Sequence, residues 1–151
     1  MANSVEIVDY SAAHAAQMKV RDLTPEFRAL IETDEYRSLL ETVGPGYTLL
    51  IDDRPIAALV FVRLRWPGTA EACLLADESM ERYGRVLHRI CKRCIEAVIA
   101  NHGFHRVECR IDKSFRRNRR WVESLGFRNE GIIHQFGPNK EDYIQYGWWR
   151  D

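Results

Sequence analysis

The sequence lacks an excess of charge of either sign. Its 151 residues include 22 Lys and Arg and 22 Asp and Glu, so the formal net charge is zero. The overall charge therefore argues neither for nor against a nucleic acid or an acidic protein as a partner. The charges are unevenly placed, however: Glu32–Glu41 and Asp77–Glu81 are acidic segments, whereas basic residues dominate from Arg82 to Arg128.

Long apolar runs are also missing. No run approaches the roughly 18 residues of a membrane span, and the first residues, MANSVEIVDY, do not have the pattern of a signal peptide. We therefore expect a cytoplasmic protein. The 46% hydrophobic content is typical of a globular chain rather than a disordered one. We expect one domain, residues 1–151, which would bury about 70% of its unfolded surface.

Cysteine is scarce, with four residues. Cys91 and Cys94 have the CxxC spacing of some metal and redox sites, but the chain offers no second CxxC and no HxxxH pair. Helical spacing places this pair on the apolar face of a predicted helix, and Cys73 and Cys109 lie in apolar, strand-like runs. We therefore predict buried free thiols that pack as small hydrophobes, and no metal site.

Two other catalytic patterns are absent. The serines have no GxSxG setting, and the five histidines are scattered without the spacing of a metal or nucleophile cluster. The sequence therefore gives no support for hydrolase chemistry of the serine type.

Apolar periodicity predicts the elements of the first half of the chain. A strand is predicted at Val5–Tyr10, because apolar and polar residues alternate there. Helices are predicted from Ala12 to about Val20, from a Thr24 cap with Pro25 as first residue, and from about Glu35 to Thr42. Strands are predicted at 47–51, 55–64 and 70–76, the first two as a hairpin.

The second half begins with the longest predicted helix. It opens at Asp77-Glu78-Ser79, carries apolar residues three and four apart, and ends at Gly103. A strand follows at 105–111, then a basic helix at about 114–125, then strands at about 127–136 and 143–149. The predicted fold class is α/β: a single domain with a mixed central sheet of about seven strands flanked by helices.

This element order, together with three segments, resembles the GNAT (Gcn5-related N-acetyltransferase) superfamily. The segments are RVECRID (106–112), RWVESLGFRNEG (120–131) and DYIQY (142–146). Gly126 can adopt a left-handed conformation at the helix end, so that Leu125 and Phe127 enter the core on either side of the turn.

A closer resemblance is to GNAT-like proteins encoded by tailed phages, including the internal virion protein type. Short motifs carry it: PIAA (55–58), WPG (66–68), EA (71–72) and RW (120–121). This resemblance implies a phage origin, a place in the host cytoplasm or the virion, and virion proteins or a second copy as partners.

The GNAT resemblance implies an acetyl-CoA site where the strands at 70–76 and 105–111 separate. The pyrophosphate would bind backbone N–H groups at the next helix start, within a Q/R-x-x-G-x-G/A pattern. The best local fit, Glu81–Val86, matches only at Gly84 and is degenerate. The implied cofactor residues are Arg82, Tyr83, Gly84, Arg85 and Val86. The acidic residues of Asp77–Glu81 favour helix capping and would repel a pyrophosphate.

The resemblance also implies the catalytic roles. Glu71 is the base candidate by position, and its alternative interpretation is a solvent-facing strand residue. The acid that protonates the leaving thiolate is commonly a Tyr four residues before the LGF glycine. Here Val122 holds that position and can donate no proton; Tyr83 and Tyr143 are substitutes without positional support.

The basic helix allows a different use. It could bind the 3′-phosphate of CoA, an acidic protein or nucleic-acid phosphates, or form a solvated face. The residues concerned are Arg116, Arg117, Arg119 and Arg120. Three functions follow from the sequence: a GNAT-fold virion or assembly protein with little or no catalysis, an acetyl-CoA-dependent N-acetyltransferase acting on an amine, and a nucleic-acid-binding module.

Overall fold

A computed structural model describes residues 3–21 and 25–151. The strands are Val5–Asp9 (β1), Gly46–Ile51 (β2), Arg54–Arg63 (β3), Thr69–Ala76 (β4), Arg106–Asp112 (β5), Arg128–Ile133 (β6) and Tyr143–Trp149 (β7). They form one seven-stranded sheet in the order β1-β2-β3-β4-β5-β7-β6. Neighbouring strands are antiparallel except β4 and β5, which are parallel. The predicted mixed α/β sheet is confirmed.

Helices cover both faces of this sheet. They are Ala12–Gln17 (α1), Pro25–Ile31 (α2), Asp34–Leu39 (α3), Gly84–His102 (α4) and Arg116–Ser124 (α5), and a 3-10 helix, Glu78–Tyr83, leads into α4. Within the described part of the chain, every helix is too short or too polar to cross a bilayer.

Two cores share the sheet. On one face α4 and α5 pack over residues such as Phe61, Val107 and Tyr146, each fully buried. On the other face α1, α2 and α3 pack over Val60 and Leu75, which are also fully buried. Because successive side chains of a strand point to opposite faces, a strand covered on both sides is continuously apolar. This explains the apolar run in β3.

The first helix is shorter than predicted. It ends at Gln17, and Val20 instead forms an antiparallel bridge with Asp77. The Lys19 N–H donates to the Asp77 carboxylate at 2.7 Å, and the Arg21 N–H donates to the Ala76 carbonyl at 2.9 Å. Long-range pairing with the end of β4 thus replaces the last helical turn. The predicted Thr24 cap lies outside the described residues.

The longest helix also begins later than predicted. The segment after Asp77 is 3-10 rather than α-helical, and α4 starts only at Gly84. The Asp77 carboxylate accepts from the Ser79 N–H at 2.9 Å and from the Ser79 hydroxyl at 2.6 Å. This local capping holds a tight turn before the regular helix.

The LGF turn is confirmed. Gly126 has a φ of 102°, in the left-handed region, and Leu125 and Phe127 are both buried. A Cβ at Gly126 would lie 3.1 Å from the indole nitrogen of Trp148. Both the backbone conformation and the close approach therefore require glycine at this position.

Candidate functional site

The parallel strands β4 and β5 separate after a short paired stretch. Their register joins Thr69 to Arg106, Ala70 to Val107 and Glu71 to Glu108, and ends there. Beyond it β4 continues to Ala76 against β3, and β5 continues to Asp112 against β7. The facing edges of these two strand ends therefore present backbone groups that do not pair with each other. A ligand with its own amide groups fits such a gap.

The start of α4 follows β4 along the chain, after Asp77 and the 3-10 helix. Tyr83, the residue before the helix, gives no side-chain cap, and the first turn of α4 has no acidic residue. A Cβ at Gly84 would meet nothing within 4 Å, so the approach to the helix start is open. A start without a side-chain cap, at the positive end of the dipole of a 19-residue helix, has the electrostatic character that anion sites use.

The carboxylates before α4 are all partnered. Glu78 forms an ion pair with Lys19 at 3.7 Å, and Glu81 forms one with Arg21 at 3.3 Å. Asp77 binds the N–H groups of Ser79 and Lys19. Burial raises the pKa of Asp77, but these hydrogen bonds outweigh burial and hold its pKa below the ordinary value of 3.8. The predicted repulsion of a pyrophosphate by this segment is therefore weakened by cations from the α1–α2 connection.

An open cavity of about 490 Å³ lies against the 3-10 helix. Its lining residues are Arg54, Glu78, Ser79, Glu81 and Arg82. Arg54 and Arg82 form no ion pair with the described residues, so both guanidinium groups remain available to a ligand. Arg85 is exposed on the first turn of α4. Of the predicted cofactor residues, Arg82 lines this cavity, and Arg54, which the sequence did not single out, lines it as well.

Glu71 lies where β4 and β5 separate, on the sheet face covered by α1–α3. Its Oε2 accepts from Arg110 of β5 at 2.7 Å, and its side chain is 35% exposed. The Glu71 carboxylate is therefore ion-paired through one oxygen and partly exposed to solvent. The Glu71 charge also acts on Tyr36. Burial raises the pKa of Tyr36 to about 12, and Cys73 and then Glu71 raise it further.

Arg110 bridges the two strands on this face. Besides Glu71 it contacts Glu108 at 3.4 Å, and its guanidinium lies 5.5 Å from the ring centre of Phe136 in the β6–β7 loop. The same loop reaches α2, because the Asn139 amide donates to Glu26 at 3.2 Å. No motif in the sequence singled out Arg110. The pattern that could have indicated it is the alternation of Arg106, Glu108 and Arg110, which places all three charges on one face of β5.

The predicted acid position is apolar and enclosed. Val122 is buried in the core beneath α5. Of the two substitutes, Tyr83 precedes α4 and packs against the same core. Tyr143 lies in β7 with its ring 5.0 Å from that of Phe136. Neither tyrosine occupies the position of Val122.

The four arginines of α5 lie in two different environments. Arg119 is partly buried and donates to the Lys113 carbonyl at 3.0 Å and to the Tyr146 hydroxyl at 3.4 Å. The other three, at 116, 117 and 120, are exposed and have no ion pair with the described residues. Arg119 is thus part of the packing of α5, and only its neighbours can contact a ligand.

The thiols pack as predicted in three of four cases. Cys91, Cys94 and Cys109 are buried, whereas Cys73 is partly exposed, and all four are free. Burial raises the pKa of Cys94 to about 11 and that of Cys109 to about 12. No group of three potential metal ligands occurs among the described residues.

No family model matches the chain. No curated protein matches it either. Solved structures do. The ribosomal-protein-S5-alanine acetyltransferase from Vibrio fischeri has a TM-score of 0.75 at 13% identity, over 100% of this chain and 98% of that chain. A GNAT-family acetyltransferase from Bacillus anthracis reaches 0.72 at 14% identity, over 99% and 98%. Spermidine N-acetyltransferase from Vibrio cholerae reaches 0.73 at 9% identity, over 96% and 93%.

These likenesses extend over nearly the full length of both chains, and at identities of 9–14% their TM-scores of 0.72–0.75 show a common fold. The chain therefore has the fold of the GNAT acetyltransferases.

Proposed function

We propose that the protein is an acetyl-CoA-dependent N-acetyltransferase that acts on an amine of a small molecule or a protein. The observation that carries the proposal is the separation of β4 and β5 beside the uncapped start of α4. The unpaired strand edges suit the amide groups of a pantetheine arm, and the helix start suits a pyrophosphate. The acetyltransferases of similar structure support this assignment.

The residues at the helix start would hold the phosphates. Gly84 leaves room for close approach of the backbone N–H groups, and Arg82 and Arg85 flank it. Arg54, at the start of β3, lines the cavity beside the 3-10 helix together with Arg82. Lys19 and Arg21 neutralise Glu78 and Glu81, so the local charge does not oppose an anion.

Glu71 would act as the base. Its Oε2 is held by Arg110, while its Oε1 has no hydrogen-bond partner among the residues that the structure describes. This free oxygen would accept the proton of the amine as the nitrogen attacks the thioester carbonyl. The carbonyl carbon then gains a C–N bond, and its C–S bond breaks with release of the CoA thiolate. We assign no side chain as the acid for that thiolate.

Calorimetric titration with acetyl-CoA is the first test, followed by mass spectrometry of acetyl transfer to spermidine and to a peptide that begins with alanine. We expect Glu71→Gln to lower kcat by about 10²–10⁴-fold with unchanged acetyl-CoA affinity. Glu6→Gln, an exposed strand glutamate in β1, is the matched control. No binding heat at about 1 mM acetyl-CoA would overturn the proposal.

A CoA-binding protein without turnover is the second candidate. Two observations favour it: the ion pair that occupies Glu71, and the buried Val122 at the predicted acid position. It predicts binding heat but no transfer to any amine. The resemblance to internal virion proteins would give such a protein a role in a phage particle or in the host cytoplasm. Mass spectrometry of purified particles of a phage that encodes the chain tests that role.

A further inference from the structure

The outer surface of α4 and α5 carries seven cations, which we call the basic face. On α4, Arg85, Arg89 and Lys92 recur three and four residues apart, with Arg93 beside them, opposite the buried residues of the helix. On α5, the exposed cations are Arg116, Arg117 and Arg120. Both helices pack on the same side of the sheet, because residues of both belong to one core.

The cations of the basic face are unpaired. None of the seven has an ion pair or a side-chain hydrogen bond with any of the residues that the structure describes. The helices carry two carboxylates, and the Oε1 of one of them, Glu123, already accepts from the Tyr146 hydroxyl at 3.0 Å. Several cations elsewhere are partnered, as in the pairs of Arg37 with Asp34 and Arg106 with Glu130. The other carboxylate, Glu96, is exposed on the same face of α4, three and four residues after Arg93 and Lys92, so one acid stands among the cations of this helix. The excess of like charge is repulsive, and a bound polyanion would relieve that repulsion.

The opposite side of the molecule is acidic. Helices α2 and α3 and their flanks carry Glu26, Glu32, Asp34, Glu35 and Glu41, all exposed. The formal net charge is zero. The cations of α4 and α5 nevertheless lie on one side of the sheet, and the carboxylates of α2 and α3 lie on the other.

We propose that the basic face binds the phosphate backbone of duplex nucleic acid without sequence preference. Successive cations of α4 rise by about 5–6 Å along the helix axis, close to the ~7 Å between every second phosphate of one strand. No large apolar side chain is exposed on α4 among the described residues. Protein partners need such anchors, whereas phosphate contacts do not. The basic face shares Arg85 with the proposed acetyl-CoA site, whereas Arg89, Lys92 and Arg93 lie roughly 7–14 Å along the helix from Gly84, outside that site.

Fluorescence anisotropy of a labelled duplex of about 20 base pairs, over a series of salt concentrations, tests the proposal. We expect the triple variant Arg89→Glu, Lys92→Glu, Arg93→Glu to weaken binding at least ~10-fold at low salt and to make the salt slope shallower by about 3. The control triple, Arg65→Glu, Lys140→Glu, Arg150→Glu, changes the net charge equally at exposed positions outside the basic face. It should retain most of the affinity.

Several outcomes would overturn the proposal. They are the absence of binding by the wild type at low salt, equal losses in the two triples, or salt-sensitive self-association without DNA binding. The last result, from sedimentation, would assign the basic face to the acidic side of a second copy. The neutral triple Arg89→Gln, Lys92→Gln, Arg93→Gln should lose affinity while its circular dichroism melting curve stays unchanged, which excludes misfolding as the cause. Acetyl-CoA titration of the same variants should be unaffected, so the two proposals fail separately.

Discussion

At the residue scale, Gly84 is a position where the fold and the proposed ligand site have different requirements. Its φ of −54° is one that any L-residue adopts, and a Cβ there would meet nothing. Glycine is therefore not needed by the fold at this position, unlike Gly126. The proposed acetyl-CoA site supplies a reason for glycine that the fold does not, namely the close approach of a ligand to the helix start.

This difference predicts opposite effects on stability and binding. Gly84→Ala should raise the free energy of unfolding by about 0.4–1 kcal/mol, because the unfolded chain loses conformational freedom. Gly84→Glu should also keep the fold, since a carboxylate at a helix start is favourable, but should weaken acetyl-CoA binding at least ~10-fold. Urea denaturation and calorimetric titration measure the two quantities. A Glu variant that binds as tightly as the wild type would exclude Gly84 from the site.

At the element scale, the segment from Met18 to Tyr83 shows how two distant parts of the chain determine one helix start. Asp77 caps the 3-10 helix and at the same time binds the Lys19 N–H. Local sequence signals correctly predicted that a helix follows β4. They could not predict its 3-10 start, because residues 18–21 and 77–78 are brought together only in the folded protein.

The lowered pKa of Asp77 predicts a pH dependence. A carboxyl whose pKa is lower when folded stabilises the fold above its unfolded pKa and loses that contribution as the pH falls through the folded value. We expect Asp77→Ala to lower the free energy of unfolding by about 0.5–2 kcal/mol at neutral pH. The difference from the wild type should shrink as the pH falls below the ordinary pKa of 3.8 and through the lower pKa of the folded state.

Urea denaturation at several pH values measures this effect, with Glu78→Ala as the control. Glu78 is exposed and pairs with Lys19 at 3.7 Å, so its loss should cost less than about 1 kcal/mol. A constant difference between Asp77→Ala and the wild type at all pH values would contradict the assignment.

At the scale of the whole molecule, one sheet carries both cores. Alternate residues of β3 belong to opposite cores: Phe61 faces α4 and α5, and Val60 faces α1–α3. The same strands contribute side chains to both cores, so a loss of packing in one core also destabilises the strands that form the other. The residues 1–151 should unfold as a single cooperative unit.

Substitutions in the two cores test this cooperativity. Leu87→Ala on α4 and Leu75→Ala on β4 each remove a buried side chain and should each cost about 2–5 kcal/mol. Both should shift one transition, seen at the same midpoint by circular dichroism and by tryptophan fluorescence. Separate transitions, with each variant affecting only one, would show that the cores unfold independently.

The sequence by itself determined the element order, the two glycine-terminated helices and the apolar faces. These depend on short-range periodicity and on left-handed turns, as at Gly103 and Gly126, which neighbouring residues specify. It also placed Glu71 and the Glu81–Val86 segment, through their order along the chain.

Only the tertiary structure decided which side chains form ion pairs with those residues. The partners of Glu71, Glu78 and Glu81 come from β5 and from the α1–α2 connection, at sequence separations that no local pattern encodes. Composition likewise gave a net charge of zero, whereas folding places the cations of α4 and α5 on one side and the acids of α2 and α3 on the other. Electrostatic interactions depend on the distance between charges in space. Which charges of this protein attract or repel one another is therefore set by the folded sheet and its helices, not by their order in the sequence.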